Sequence, residues 1–237
     1  MLISDYSERE ARRKRKREAA IRFLALETWT IQRVLQSVLR CSRSASYKLI
    51  SQLEKEGIIR SHAIEDLRLT ALGITPHGVA IASSEYDLPI SLATFQPSKI
   101  RPVSVAHRID LQRARVAAEG SGWTDWTLAK SLPKTWTKLP DAVAQSASGQ
   151  IVAVELERVV KSRRRYEAIL SQHLQAITQG RYDIVHYVSP SRPVASAIDR
   201  MFRSVSRVPV GGQRVTLSAK HRARLPVFEL EQWPPLA

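Results

Sequence analysis

The stretch Ile151-Val152-Ala153-Val154-Glu155-Leu156-Glu157, with Pro140-Asp141 shortly before it, decides how this chain is read. Side chains alternate across a strand, so Ile151, Ala153, Glu155 and Glu157 share one face and Val152, Val154 and Leu156 the other, which reads as core. Two carboxylates on one strand face repel each other unless a cation or basic side chains compensate them. A divalent ion held by Asp141, Glu155 and Glu157 is one solution, since Mg²⁺ takes such oxygen ligands. The other is that Asp141 caps a turn after Pro140 while Glu155 and Glu157 lie on a solvated sheet face, balanced by Arg158 and Lys161.

The residues carboxy-terminal to this strand favour the divalent ion. Lys161-Ser162-Arg163-Arg164-Arg165-Tyr166 opens a helix with Ala168, Ile169, Gln172, His173, Ala176 and Ile177 at helical spacing behind it. Cations next to an acidic strand suit a nucleic-acid backbone beside a metal ion, although such a run also reads as a solvated helix face.

Working outward, residues 1–83 read as an α-helical domain with a small hairpin. Helices are expected at about 7–26, at Ile31 to Leu39 and at Arg43 to Glu56, the last two joined by the short turn Cys41-Ser42. Ser42 is a candidate N-cap, and Arg43, Ser44, Ser46, Tyr47 and Lys48 form an exposed, cationic helix start suited to base and phosphate contacts. A strand from Ile58, a turn at Glu65-Asp66 and a return from Leu67 to Ile74 make a wing, with Arg60 and Arg68 as further phosphate candidates. The order resembles a winged helix-turn-helix domain, which serves DNA or, on the competing reading, a protein contact. Residues 84–103, with Pro89, Pro97 and Pro102, read as a linker or an arm packed on a second domain. Residues 104–237 then alternate helices and strands in the α/β manner, α+β for the whole chain.

The stretch from His107 to about Ile169, with His107-Arg108, Pro140-Asp141-Ala142, Glu155-Leu156-Glu157 and the run from Lys161 to Tyr166, resembles the plasmid replication-relaxation and MobC-type mobilisation proteins. Their nuclease-like domain belongs to the PD-(D/E)XK class. The resemblance implies a restriction-endonuclease-like mixed sheet, Mg²⁺ or Mn²⁺ as cofactor, and metal-dependent nicking of DNA at a plasmid transfer or replication origin. It implies catalytic roles for Asp141, Glu155, Glu157 and Lys161, DNA contacts from Arg163, Arg164 and Arg165, and accessory roles for His107 and Tyr166. Relaxosome or coupling proteins, or a second copy in a homodimer, would be its partners. The third motif position, usually lysine, is Glu157 here; either Lys161 substitutes for it, or the domain is a non-catalytic regulator or relaxosome accessory.

Composition agrees. Thirty-seven Lys and Arg against 22 Asp and Glu give a net charge of +15, carried by both halves of the chain, which favours polyanionic partners. No apolar run approaches the ~20 residues of a membrane helix, and the charged start lacks a signal segment, so a cytoplasmic protein is expected. The single cysteine, Cys41, excludes an internal disulfide, and no Cys/His grouping has zinc-finger spacing. Tyr166, Tyr182 and Tyr187 are candidate nucleophiles or core aromatics. Trp123, Trp126 and Trp136 are candidate base-stacking or core residues, and Gly211-Gly212 reads as a turn.

Overall fold

The structure is a computed structural model that describes residues 6–210 and 212–235. Gly211 and half of the expected Gly211-Gly212 turn therefore lie outside the described residues. The chain divides into two compact units, residues 1–112 and 113–237.

In the first unit α1 (Tyr6–Glu27), α2 (Gln32–Leu39), α3 (Arg43–Lys55) and α4 (Pro76–Tyr86) accompany a three-stranded antiparallel sheet of β1 (Trp29–Ile31), β2 (Ile59–Ile64) and β3 (Leu69–Ile74), ordered β1-β3-β2. The turn after α2 puts Arg40 in the left-handed region (φ 45°), and Ser42 caps α3 by accepting from the Ala45 N–H. Apolar residues three and four apart on α1 and α3 meet in one core: Ile21 and Leu24 pack with Leu35, Ile50, Leu53, Leu72 and Ile74. Cys41 is half-buried at the margin of this core. Gly78 is required at the start of α4, because a Cβ there would stand 2.2 Å from the Ile58 carbonyl oxygen.

The segment expected to be a linker, or an arm on the second domain, packs instead on the first unit. Phe95 is buried with Trp29, Ile64, Ala71 and Val105, and its ring fills the space over Gly73 that any side chain at 73 would occupy. The bare backbone of β3 is the physical reason, since it creates the slot the ring enters. The Phe95 N–H donates to the Ile74 carbonyl. The division between units falls later, after Gln112, within α5 (Pro102–Gly120).

The second unit is built on a mixed five-stranded sheet. After the end of α5 come β4 (Thr124–Leu128), β5 (Ala142–Gln145) and β6 (Ile151–Leu156), an antiparallel meander with Gly149 (φ 83°) in its second turn. Helix α6 (Arg163–Thr178) then crosses over to β7 (Ile184–Ser189), parallel to β6. The chain continues through α7 (Arg192–Ser204), the hairpin β8 (Arg207–Val210) and β9 (Gln213–Thr216), and the short α8 (Ala219–Arg222) to β10 (Val227–Glu229), parallel to β7. The sheet order is β10-β7-β6-β5-β4, which makes β6 the central strand.

A central strand with a helical crossover is covered on both faces. One face is closed by Tyr166 and Leu170 of α6 and Phe202 of α7, the other by the ring cluster of Trp123, His186, Phe228 and Trp233. The tryptophans considered for base stacking divide accordingly: Trp123 is buried in that cluster, while Trp126 and Trp136 are half-buried beside Trp233 and Tyr182. Among the described residues no helix is long and apolar enough to cross a membrane.

Candidate functional site

The expected solvated face of β6 does not exist. Glu155 is 7 % exposed and Glu157 3 %, because α6 packs over the face they share with Ala153. Asp141, just ahead of β5, accepts the Leu156 N–H on Oδ2 at 2.8 Å, which ties the start of β5 to the end of β6.

Each glutamate has a basic partner. Glu155 Oε1 lies 2.5 Å from Lys138 Nζ and 3.0 Å from His173 Nε2, and Glu157 Oε1 is paired with Lys161 Nζ. Burial alone would raise the Glu155 carboxyl, but the hydrogen bond from His173 and the Lys138 ammonium outweigh it and hold it below its ordinary value. Glu157 goes the other way. Burial raises it, Lys161 opposes, and the neighbouring Glu155 and Asp141 carboxylates push it further up.

Behind Glu155 stands a buried relay. His173, 0 % exposed on α6, has Nδ1 2.7 Å from the Tyr182 hydroxyl. An ionised Glu155 can only accept, so Nε2 carries the proton; burial holds the imidazole below its usual pKa, and in the neutral ring Nδ1 accepts from Tyr182 O–H. Tyr187, the register partner of Glu155 on β7, closes the same face with its ring edge-on to His173 at 5.9 Å.

Sequence reading identified Asp141, Glu155, Glu157 and Lys161, and the structure brings these together. Lys138 was not singled out; it stands in the loop before Pro140, where nothing marks one lysine above another. His173 and Tyr182 were noted, the first at helical spacing on α6 and the second as a candidate nucleophile or core aromatic, but neither was placed beside the acidic group.

The three tyrosines are interior. Tyr166 is fully buried against Phe202 with its hydroxyl accepting from the Lys161 N–H, and Tyr182 and Tyr187 are likewise buried, so the nucleophile reading gives way to the core reading for all three. Arg163, Arg164 and Arg165 stand exposed on the first turn of α6, Arg163 paired with Glu167. His107 is half-buried on the part of α5 that belongs to the first unit.

In donor chemistry the carboxylates fit a hard divalent cation, being three oxygen-donor groups from two adjacent strands. Among the described residues no group of three or more His, Cys, Asp or Glu side chains is already arranged around a common metal position.

On the first unit, Arg43, Ser44, Tyr47 and Lys48 are exposed along one side of α3, with Tyr47 63 % exposed. Ser46 is not among them. It is 0 % exposed, its hydroxyl donating to the Arg43 carbonyl and accepting from Gln32 Nε2, because position 46 turns into the α2 contact. Arg68 is exposed at the tip between β2 and β3, in the left-handed region (φ 50°). Arg60 lies at the base of β2, with Nη2 donating to the Phe95 carbonyl at 2.6 Å and the guanidinium over the Phe95 ring, which commits it to holding that segment.

Compared with known proteins, the chain matches no family model, no curated protein and no solved structure.

Proposed function

We propose that this chain is a sequence-specific DNA-binding protein whose second unit nicks or cleaves DNA with Mg²⁺ or Mn²⁺. On this reading the first unit is a winged helix-turn-helix domain with α3 as recognition helix, and the second is a restriction-endonuclease-like domain of the PD-(D/E)XK class. One observation carries it: Asp141, just ahead of β5, accepts the N–H of Leu156, the residue between Glu155 and Glu157 at the end of the adjacent β6, within a helix, three-strand meander, helix and parallel strand. Ligand sites in such sheets form at strand ends.

Asp141, Glu155 and Glu157 would hold the cation. When bound, it supplies polarisation of a phosphoryl oxygen and a lowered pKa for water. Glu155 is fixed in its rotamer by His173. Glu157 would be a further ligand or the general base that activates water, and Lys161 with Arg164 or Arg165 would offset the charge that grows on the phosphate. The setting that goes with this chemistry is a plasmid transfer or replication origin, with relaxosome or coupling proteins, or a second copy of the chain, as partners.

A second reading is favoured by the lysines. Lys138 and Lys161 already neutralise Glu155 and Glu157 without metal, as a domain retained for docking alone would need. The experiment that separates the readings is a nicking assay on supercoiled plasmid bearing the cognate region, in Mg²⁺, Mn²⁺ or EDTA. Asp141→Ala, Glu155→Ala and Glu157→Ala should each abolish scission while binding in EDTA stays level or rises, because a negative charge beside the backbone is gone. A folded Glu155→Ala protein that nicks as fast as wild type removes the metal-site reading. Tight binding by wild type with no scission in either metal selects the regulator.

A further inference from the structure

The six consecutive cations from Arg12 to Arg17 are not needed by the core and take no part in the exposed recognition side of α3. Burial on α1 begins only at Ala20, and every residue from Tyr6 to Arg15 is exposed. A helix that is polar all round has no apolar face to hold it, and like charges three and four residues apart repel along it. Arg17 secures its base through Glu56, Glu85 and the Tyr86 hydroxyl.

Above that anchor α1 forms one wall of a groove of about 480 Å³ facing α3. Arg9, Arg12, Arg13, Lys16 and Lys48 line it over a floor of Leu39, Cys41, Ala45 and Leu49, and Gln52 on α3 accepts from Arg13 at 2.8 Å. Among the described residues no acid lines it. On the other side of the α1 seam a second groove of about 320 Å³ carries Arg15 and Arg40 with Arg12 and Lys16 shared, again without an acid among the described residues. The two grooves flank the turn between α2 and α3, and Lys48 belongs both to the first groove and to the exposed side of α3.

We propose that the amino-terminal half of α1 is a backbone-gripping helix for duplex DNA, whose phosphates run along the grooves on either side of it while α3 faces the bases. The proposal rests on the DNA-binding reading of the first unit. The chemistry recognised is a row of closely spaced phosphodiesters: cations spread along two grooves match a linear polyanion and neutralise it without regard to sequence. An acidic protein segment is the competing occupant, and the floor is too narrowly bordered by charge to favour an apolar one.

The test is fluorescence anisotropy of the full chain on a labelled random-sequence duplex of about 30 base pairs across a range of KCl, where each phosphate contact contributes about −0.9 to the log–log salt slope. Arg12→Gln/Arg13→Gln/Lys16→Gln should make the slope less negative by about 2 to 3. A charge-matched control on the second unit, Arg192→Gln/Arg200→Gln/Arg214→Gln, should leave it near the wild-type value. Arg12→Lys/Arg13→Lys, which keeps the charges, should restore it, and far-UV circular dichroism should show every variant folded. Wild-type binding with an unshifted slope in the triple variant overturns this proposal alone. So does an equal shift in the control, or loss of binding to a polyglutamate probe with DNA binding intact. A wild type that binds no duplex overturns the DNA reading of the whole unit.

Discussion

Replacing His173 with alanine should destabilise the second unit far more than removal of a surface histidine would. The imidazole is fully buried, with Nε2 3.0 Å from Glu155 and Nδ1 2.7 Å from Tyr182. Its loss orphans the Tyr182 hydroxyl and takes from the buried Glu155 one of its two basic partners. Each such group costs about 1–3 kcal/mol, and the cavity left between the rings of Tyr182 and Tyr187 adds about 1–2 kcal/mol. The expected loss, about 3–8 kcal/mol, is large against the ~5–15 kcal/mol that holds a domain together. Urea titration followed by tryptophan fluorescence reads this unit well, since four of the five tryptophans, Trp123, Trp126, Trp136 and Trp233, belong to it. A double-mutant cycle with Glu155→Gln should return a coupling of about 1.5–3 kcal/mol, the range for a hydrogen bond to a charged group. A His173→Ala loss below about 1 kcal/mol, or a coupling under about 0.5 kcal/mol, would refute the relay.

Burial pulls His186 down to about 4, so the unfolded chain takes a proton near 6.5 that the folded chain refuses. Stability from this group is complete above the unfolded value and should fall by about 3 kcal/mol as pH drops from 6.5 to 4, a dependence that His186→Phe flattens in urea melts. Ser46→Ala should cost about 1 kcal/mol by breaking the Gln32 and Arg43 hydrogen bonds while leaving base discrimination intact in gel shifts. Arg43→Ala with Lys48→Ala should do the reverse, weakening specific binding by about 1–3 kcal/mol per lost base contact with the melting temperature unmoved. Gly73→Ala should destabilise the first unit by about 1–3 kcal/mol through collision with the Phe95 ring, and Gly73→Ala/Phe95→Leu should recover part of the loss.

The acidic group was legible because a strand's period of two and a Pro-Asp turn are local signals, readable without knowing what lies on either side. Whether the glutamates faced water was not. That depended on how α6, which follows β6 directly, folds back across the sheet, and the apolar run from Ile151 to Val154 suits an edge strand with one open face as well as a central one. Ser46 failed for the same reason: its polarity and position in the first turn of α3 match a base contact, and only the placement of Gln32 on α2 turns it inward. Lys138 carried no local signal at all. The β8–β9 hairpin and β1 went unseen as well, the first lying around Gly212 in a stretch without clear alternation, the second being three residues long.

The seat of Phe95 over Gly73 determines where this polypeptide can be divided. A fragment stopped at residue 83 would keep all three strands of the first unit and α3, yet strip the cover from Trp29, Ile64 and Ala71. It would also remove Gln112, which bonds the Thr30 hydroxyl, Glu27 and the Trp29 carbonyl. Such a fragment would present a sticky, apolar sheet surface and unsatisfied buried groups, the combination that leads to aggregation during expression. A fragment intended to carry the first unit by itself must therefore extend through Gln112, and protease trimming of the intact chain should spare the peptide bonds around Phe95 while cutting at more exposed positions.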